Sequence, residues 1–304
     1  MVSIGGVFAG ANLVVVNNFL GGGPVSEAAL TGSASGLYPF SEACPSLFSP
    51  FFCTSSTSSV TYSAEAQQFF DRLLTLPTEA RATLIAACID TLVASGAWDR
   101  LDILKIFAAY DQGTAAENWK SVSFRSTALG GGSVDFTQDR GFKADGGLAK
   151  LYEVYFPATS AVQYAQNDAF VASWVLDNLS ANSYIVDTNP QTNVFISPRW
   201  STNLAFFRTN QNTGGQVAAT DSRGFWLSER TGANAQTFWR NDTLLITETL
   251  ASSALTSSQI VSVAGASAGG RRAAAFVLGR ALTAAQKTSL YSALSTYLAG
   301  VGAI

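Results

Sequence analysis

Apolar and polar positions change rhythm along this chain. Between residues 61 and 111, apolar side chains recur at intervals of three and four, the period of an amphipathic helix. In SAEAQQFFDRLL, Ser63 stands where a helix cap belongs, and Phe69, Phe70, Leu73 and Leu74 share one face. Pro77 suits the first turn of a second helix, in which Ile85, Cys88, Ile89, Leu92 and Val93 repeat before Gly96 stops it. WDRLDILKIFAAY predicts a third helix, with Trp98, Leu101, Leu104, Phe107 and Ala108 on one side. Residues 61–118 are therefore expected to form a small helical connector.

From about residue 119 the period shortens to two. Short runs rich in aromatic and β-branched residues alternate with Gly, Asn, Asp and Pro: SVDF, AKLYEVYF, AFVASWVL, SYIVD, NVFIS, NLAFFR, GFWLSER, TFWR, LLITETL, QIVSVAG and AAAFVLG. About eleven strands at this spacing predict an antiparallel sandwich or jelly roll over 119–304. FWRNDTLLI reads as a hairpin, because Asn241 and Asp242 tolerate positive φ at the turn. After the last strand, Thr283 and Gln286 have the spacing of a capping box. Leu290, Leu294, Tyr297, Leu298 and Val301 then form a stripe that docks a closing helix on the sandwich. The fold class expected is mainly β.

The first 60 residues have neither rhythm. Glu27 and Glu42 are their only charges, and Gly21–Gly23 with Pro24, Pro39, Pro45 and Pro50 rules out long regular elements. Phe8, Phe19, Phe40, Phe48, Phe51 and Phe52 still need something to pack against. The segment is read as an anchoring or assembly region, packing on its own globular part or on neighbouring subunits. Its opening, MVSIGGVFAGANLVVVNNFL, lacks a basic start and an unbroken apolar run, so it is not expected to be a secretion signal.

Composition narrows the chemistry. Of 304 residues, 47% are hydrophobic and only 13% charged, so a large core is available and much of the surface is Ser, Thr, Asn, Gln and Gly or lies inside an assembly. A net charge of −3 argues against nucleic acid as a partner. No run reaches the roughly 20 apolar residues of a membrane span, so no membrane insertion is expected. The chain contains no histidine, which removes Ser-His-Asp and Cys-His catalysis and His-ligated zinc. Cys88 falls in an apolar helical run and reads as a buried free thiol; Cys44 and Cys53 could close a loop or remain free.

Residues 96–304 resemble the concanavalin A-like, or laminin-G-like, jelly-roll proteins encoded by tailed bacteriophages and prophages. The resemblance is carried, in order, by GAWDRLDILKIFAAYDQGTAAENWKS, DFTQDRGFKADGG, YAQNDAFVASWV, FWLSERTGANAQTFWRND and AAAFVLGRALTAAQKTSLYSALSTYL. It implies a virion component without a known catalytic role, on the tail or capsid exterior, as fibre, spike or decoration. It also implies other virion proteins as partners through residues 1–60, and a homo-oligomer, in fibres a trimer. Folds of this kind often bind carbohydrate, so a host surface glycan is a further expected partner.

Three function classes follow. The first is a structural virion protein, the second a carbohydrate-binding adhesin module, the third a glycan-degrading enzyme. For glycan binding, Trp200 and Trp226 offer stacking faces, with Arg199 and Asn203 to bond hydroxyls. Trp239, Arg208 and Asn210 are further candidates, whereas Trp174 reads as core. In DRGFKADGG, Asp139 and Asp145 could hold Ca²⁺, though without the spacing of an EF-hand loop; the alternative is a plain turn. Asp139 with Asp145, or Glu229 with Asp242, would have to supply any glycosidase pair. The overall expectation is a non-enzymatic protein that needs no cofactor.

Overall fold

The structure, a computed structural model, describes residues 8–9, 12–13, 60–129, 133–144, 149–191, 193–264 and 270–304. The chain divides into two units, Met1–Ser58 and Ser59–Ile304. In the first, strands β1 (Phe8–Ala9) and β2 (Asn12–Leu13) pair antiparallel. The anchor read over 1–60 and a bond between Cys44 and Cys53 otherwise lie outside the described residues.

The second unit runs α1 (Ala64–Phe70), α2 (Glu79–Ala94), β3 (Leu101–Ile106), α3 (Gln112–Ala116), β4 (Ser126–Leu129), β5 (Val134–Thr137), β6 (Gly141–Ala144), β7 (Lys150–Glu153), α4 (Pro157–Ser160) and β8 (Ala169–Val175). It continues with β9 (Asp187–Asn189), β10 (Val194–Ser197), β11 (Leu204–Thr209), β12 (Gly215–Ala218), β13 (Gly224–Gly232), β14 (Ala235–Arg240), β15 (Thr243–Glu248), β16 (Gln259–Ala264), β17 (Arg272–Gly279) and α5 (Ala284–Gly300). It is mainly β, and every ladder is antiparallel.

One sheet has the order β15-β14-β13-β8-β17-β6-β5, with β3 sharing the free edge of β17 beside β6. Opposite it stand β4-β7-β16-β9 and β10-β11-β12, joined by a bridge between Val186 and Ile196. Side chains on β8 show how the large sheet is used. Ala169, Val171 and Val175 enter the core between the sheets, whereas Phe170, Ala172 and Trp174 enter a second core beneath the helices. The period-two alternation thus buries both faces, and the strand reads as an apolar run broken by Ser173, whose hydroxyl donates to the Ala275 carbonyl. A register shift between Ala273 and Ala275 puts Ala274 and Ala275 on the helix side and returns Phe276 to the sandwich interior.

The helical layer answers to several expected features. Ser63 caps α1 and Thr78 caps α2. Gly96 takes φ +68 and ends the excursion after α2, in the left-handed region glycine tolerates. Cys88 is buried and free, and its thiol is pushed up to about 12 by desolvation. Thr283 and Gln286 complete a capping box on α5, whose Leu290, Leu294, Tyr297 and Leu298 are buried. Trp174 stacks on Tyr291 with ring centroids 5.5 Å apart, which binds α5 to the sheet. Replacing Thr283 by Ala removes one side-chain acceptor and leaves orphan N–H groups at the helix start. Urea denaturation is expected to show a loss of about 1 kcal/mol.

The third helix is a correction. Trp98–Arg100 is a single 3-10 turn, and Leu101–Ile106 is a fully buried strand paired with β17. A strand covered on both faces loses the two-residue alternation, and with Asp102 and Lys105 at an interval of three between apolar residues LDILKIF imitates helical spacing. The connector expected over 61–118 accordingly contributes a strand to the sandwich, and α2 and α5 pack together. The Asn241–Asp242 turn has φ +47 and +64, as a tight hairpin between β14 and β15 requires.

Candidate functional site

Several charged side chains lie inside the unit. Lys105 on β3 pairs with Glu153 on β7, both with side chains closed to solvent. Ser126 Oγ accepts from Lys105 Nζ at 2.6 Å and donates to Glu153 Oε1 at 2.9 Å. Burial pulls Lys105 below the usual lysine range, and Glu153 opposes this. The trio crosses the sandwich from β3 to β4 and β7. A cleft of about 400 Å³ opens beside it, lined by Gln112, Arg125, Ser126, Thr127 and Leu151 among others. The Ser126 hydroxyl is already spent between its two charged neighbours.

Glu229 and Asp242 are each tied to the N-terminal half of α5. Glu229 accepts from Lys287 Nζ at 2.7 Å and from the Leu282 N–H at 2.7 Å, and its side chain is 1% exposed. Asp242 accepts from Thr288 Oγ1 at 2.9 Å. Asp139 is held by Arg81 at 2.6 Å in the turn between β5 and β6, and Asp145 lies outside the described residues. Arg271 directly precedes β17, inside the unit. It is fully buried, donates to Ser183 Oγ and to the carbonyls of Leu179, Ala181, Ser183 and Arg199, and is drawn down to about 10 by desolvation.

Trp226 must also be removed from the stacking candidates. It is 0% exposed, points between the sheets and donates Nε1–H to the Ser222 carbonyl at 2.8 Å. Phe238 lies beside it at 5.4 Å and stacks on Phe207 at 4.1 Å. The alternation of GFWLSER sends Phe225 and Leu227 under the helices and Trp226 into the sandwich. Trp239 is half-buried beneath Lys287, 4.6 Å from its ring centroid. Asn210 is buried, accepts from Tyr164 Oη and donates to the Ala165 and Gln166 carbonyls.

Trp200, Arg199 and Asn203 do come together, in the turn between β10 and β11. The Trp200 N–H donates to the Leu204 carbonyl at 2.7 Å, and Asn203 reverses the chain at φ +59. Asn203 Oδ1 accepts from Arg199 Nε at 3.0 Å and Nη2 at 2.8 Å; Arg199 Nη1 donates to Asn178 Oδ1 at 2.9 Å. Arg199 thus clamps two loops together and holds the turn that carries Trp200.

Trp200 is half-buried and has aromatic company. Its ring lies 5.5 Å from Tyr184 and 5.4 Å from Phe206, and Tyr184 lies 4.9 Å from Phe195. On β11, Ala205 and Phe207 turn inward and Phe206 and Arg208 outward, so these rings belong to the outer face of the smaller layer. The Arg208 guanidinium covers the Phe195 ring at 4.6 Å. One register row crosses this face. Tyr152 pairs with Val261 and Val261 with Asp187; the bridge between Val186 and Ile196 sets Asp187 beside Phe195, which pairs with Arg208. Tyr152, Val261 and Ala264 form an apolar cluster of their own there, with Tyr184 against it.

This face joins aromatic rings to a guanidinium and, at Asp187, a buried carboxylate. Desolvation pushes Asp187 up to about 6, against the Thr188 N–H, Lys150 and Arg208. Sequence reading found Trp200, Arg199 and Asn203 but missed Tyr184, Phe195, Phe206 and Asp187. The parity of NLAFFR could have shown Phe206 and Arg208 on one side; nothing local brings Tyr184 or Asp187 to them.

No family model matches the chain, and no curated protein matches it. Among solved structures, a botulinum neurotoxin type C structure, whose description makes cell entry dependent on interaction with two ganglioside molecules, matches at 8% identity and TM-score 0.50, over 66% of this chain and 52% of that one. The binding domain of botulinum neurotoxin serotype D matches at 9% identity and TM-score 0.46, over 64% and 52%. Domain 4 of AbnA, an extracellular GH43 arabinanase from Geobacillus stearothermophilus in complex with arabinotriose, matches at 14% identity and TM-score 0.43, over 62% and 99%. The chain thus spans about half the length of the two neurotoxin structures. The type C match, at its low identity, speaks for the fold alone: a jelly-roll β-sandwich.

Proposed function

We propose that Ser59–Ile304 is a carbohydrate-binding module whose site is the outer face of the smaller layer around Trp200. The observation that carries this reading is the run of half-buried rings Tyr184–Trp200–Phe206 on a sheet face, backed by Phe195, which is buried beneath Arg208. Flat aromatic surfaces suit the C–H faces of pyranose rings, and polar side chains between them fix hydroxyl positions. The type C neurotoxin structure gives a precedent for a glycan-facing use of the fold, but the reading for this chain stands on its own aromatic face. The proposed role is binding: of the carboxylates named for a glycosidase pair, Glu229 is held by Lys287 and Asp139 by Arg81.

Carried outward, the module fits a phage virion protein that displays it toward a host surface, as the ordered motifs of residues 96–304 imply. Assembly through residues 1–60 and trimerisation belong to the same proposal.

The test is a glycan panel probed with the full chain and its Trp200→Ala variant. Retention of a defined set of glycans, weakened about tenfold or more in the variant, is expected for the loss of one stacking anchor. Retention that ignores Trp200, or no retention of any glycan, would refute the site.

A further inference from the structure

Asp187 has no structural task that explains it. It is 6% exposed, and its Oδ1 has no hydrogen-bond partner among the described residues. Buried acceptors left without a donor are rare in native proteins, and each one calls for a reason. A carboxylate that served only to hold the sheet would be bonded through both oxygens, as Asp102 is: it accepts from Tyr155 Oη and the N–H groups of Val162, Gln163 and Tyr164.

Its place in the sheet supplies the reason. Asp187 lies in the row that carries Tyr152, Phe195 and Arg208 on the outer face. Among the described residues, the charged and titratable groups around it are Lys150 and Tyr152 from β7 and Arg208 from β11, with Tyr184 facing Arg208. Val261 of β16 and Phe195 of β10 face it with apolar surface. The row therefore sets an acceptor-only group and a donor-only group on either side of an aromatic ring.

We propose that Asp187 and Arg208 are the polar end of the glycan site and select neutral sugars that present a pair of adjacent hydroxyls. One hydroxyl donates to Asp187 Oδ1, and the neighbouring oxygen accepts from Arg208. A glycan bearing its own carboxylate meets Asp187 as a like charge and is disfavoured. This inference rests on the carbohydrate-binding reading above and gives it a substrate class.

Binding follows the ionised carboxylate, so it is full at neutral pH and falls as Asp187 takes up a proton. The test uses the full chain on printed gluco-, manno- and galacto-oligosaccharides and their sialylated or uronic-acid-capped counterparts, near pH 5 and near pH 7.5. The expected result is preference for the neutral series, with binding about tenfold weaker near pH 5, as for loss of one charge-assisted hydrogen bond. Asp187→Asn should bind weakly at both values and lose the pH step. A preference for acidic glycans would overturn the proposal, as would a wild-type pH profile without the step. A Trp200-dependent signal untouched by Asp187→Asn would sink the role of Asp187 while leaving the site standing. No glycan retained at either pH would end both. The wild-type pH profile and the neutral-to-acidic comparison decide the matter even if the variant fails to fold.

Discussion

Replacing Lys105 by Met is expected to lower the stability of the Ser59–Ile304 unit by about 3–5 kcal/mol in urea denaturation. The methionine fills most of the lysine's volume, so little of this loss comes from a void. It comes from Glu153, which is left charged, with no counter-ion, between two sheets. Ser126 can still donate to it, but one neutral hydrogen bond does not replace an ammonium. Replacing Lys105 and Glu153 together, by Met and Leu, is expected to recover most of the loss, because no buried charge then remains. If the single variant unfolds at the same urea concentration as the wild type, the pair does not close this end of the sandwich.

Asp187→Asn is expected to act in the opposite direction. The carboxyl titrates at about 6 in the folded chain against an ordinary value of 3.8, so the folded state binds its proton more tightly than the unfolded state does. Its contribution is therefore most favourable below about pH 4, where both states are protonated, and is lost as pH rises through about 6. Above that the ionised, desolvated group opposes folding by roughly 3 kcal/mol, the linkage value of a shift of this size. Asparagine carries no charge and relieves up to that amount at neutral pH. Thermal melts near pH 7.5 should show the variant above the wild type, with the gap closing near pH 4. A residue that weakens the fold while sharpening a site is what selection for binding produces. If the variant melts below the wild type at neutral pH, Asp187 serves the fold.

The architecture was legible in the sequence wherever period and punctuation agreed. AFVASWVL, NVFIS, NLAFFR, GFWLSER and AAAFVLG are strands, and the Thr283–Gln286 box starts a docked helix. Reading failed where burial erased the period. Leu101–Ile106 is covered on both faces and imitates a helix, and Gly141–Ala144 and Gly215–Ala218 are too short and glycine-marked to stand out.

The site was half legible. Trp200, Arg199 and Asn203 are neighbours in sequence, and one turn holds them. Trp226 looked equivalent because sequence gives parity only relative to the rest of its strand; the helices above the large sheet decide which parity faces the sandwich interior. Asp187, Tyr184 and Phe206 meet through strand pairing across β9, β10 and β11, a long-range register that no local pattern records.

The central claim is that glycan sits on the outer face of the smaller layer, and side-chain oxidation of the full chain with and without a retained glycan tests it most directly. With glycan present, Trp200 and Tyr184 should be shielded, while Trp226 and Trp174, already buried, should not change. Shielding at Trp239 or elsewhere, with Trp200 oxidised equally in both samples, would contradict it.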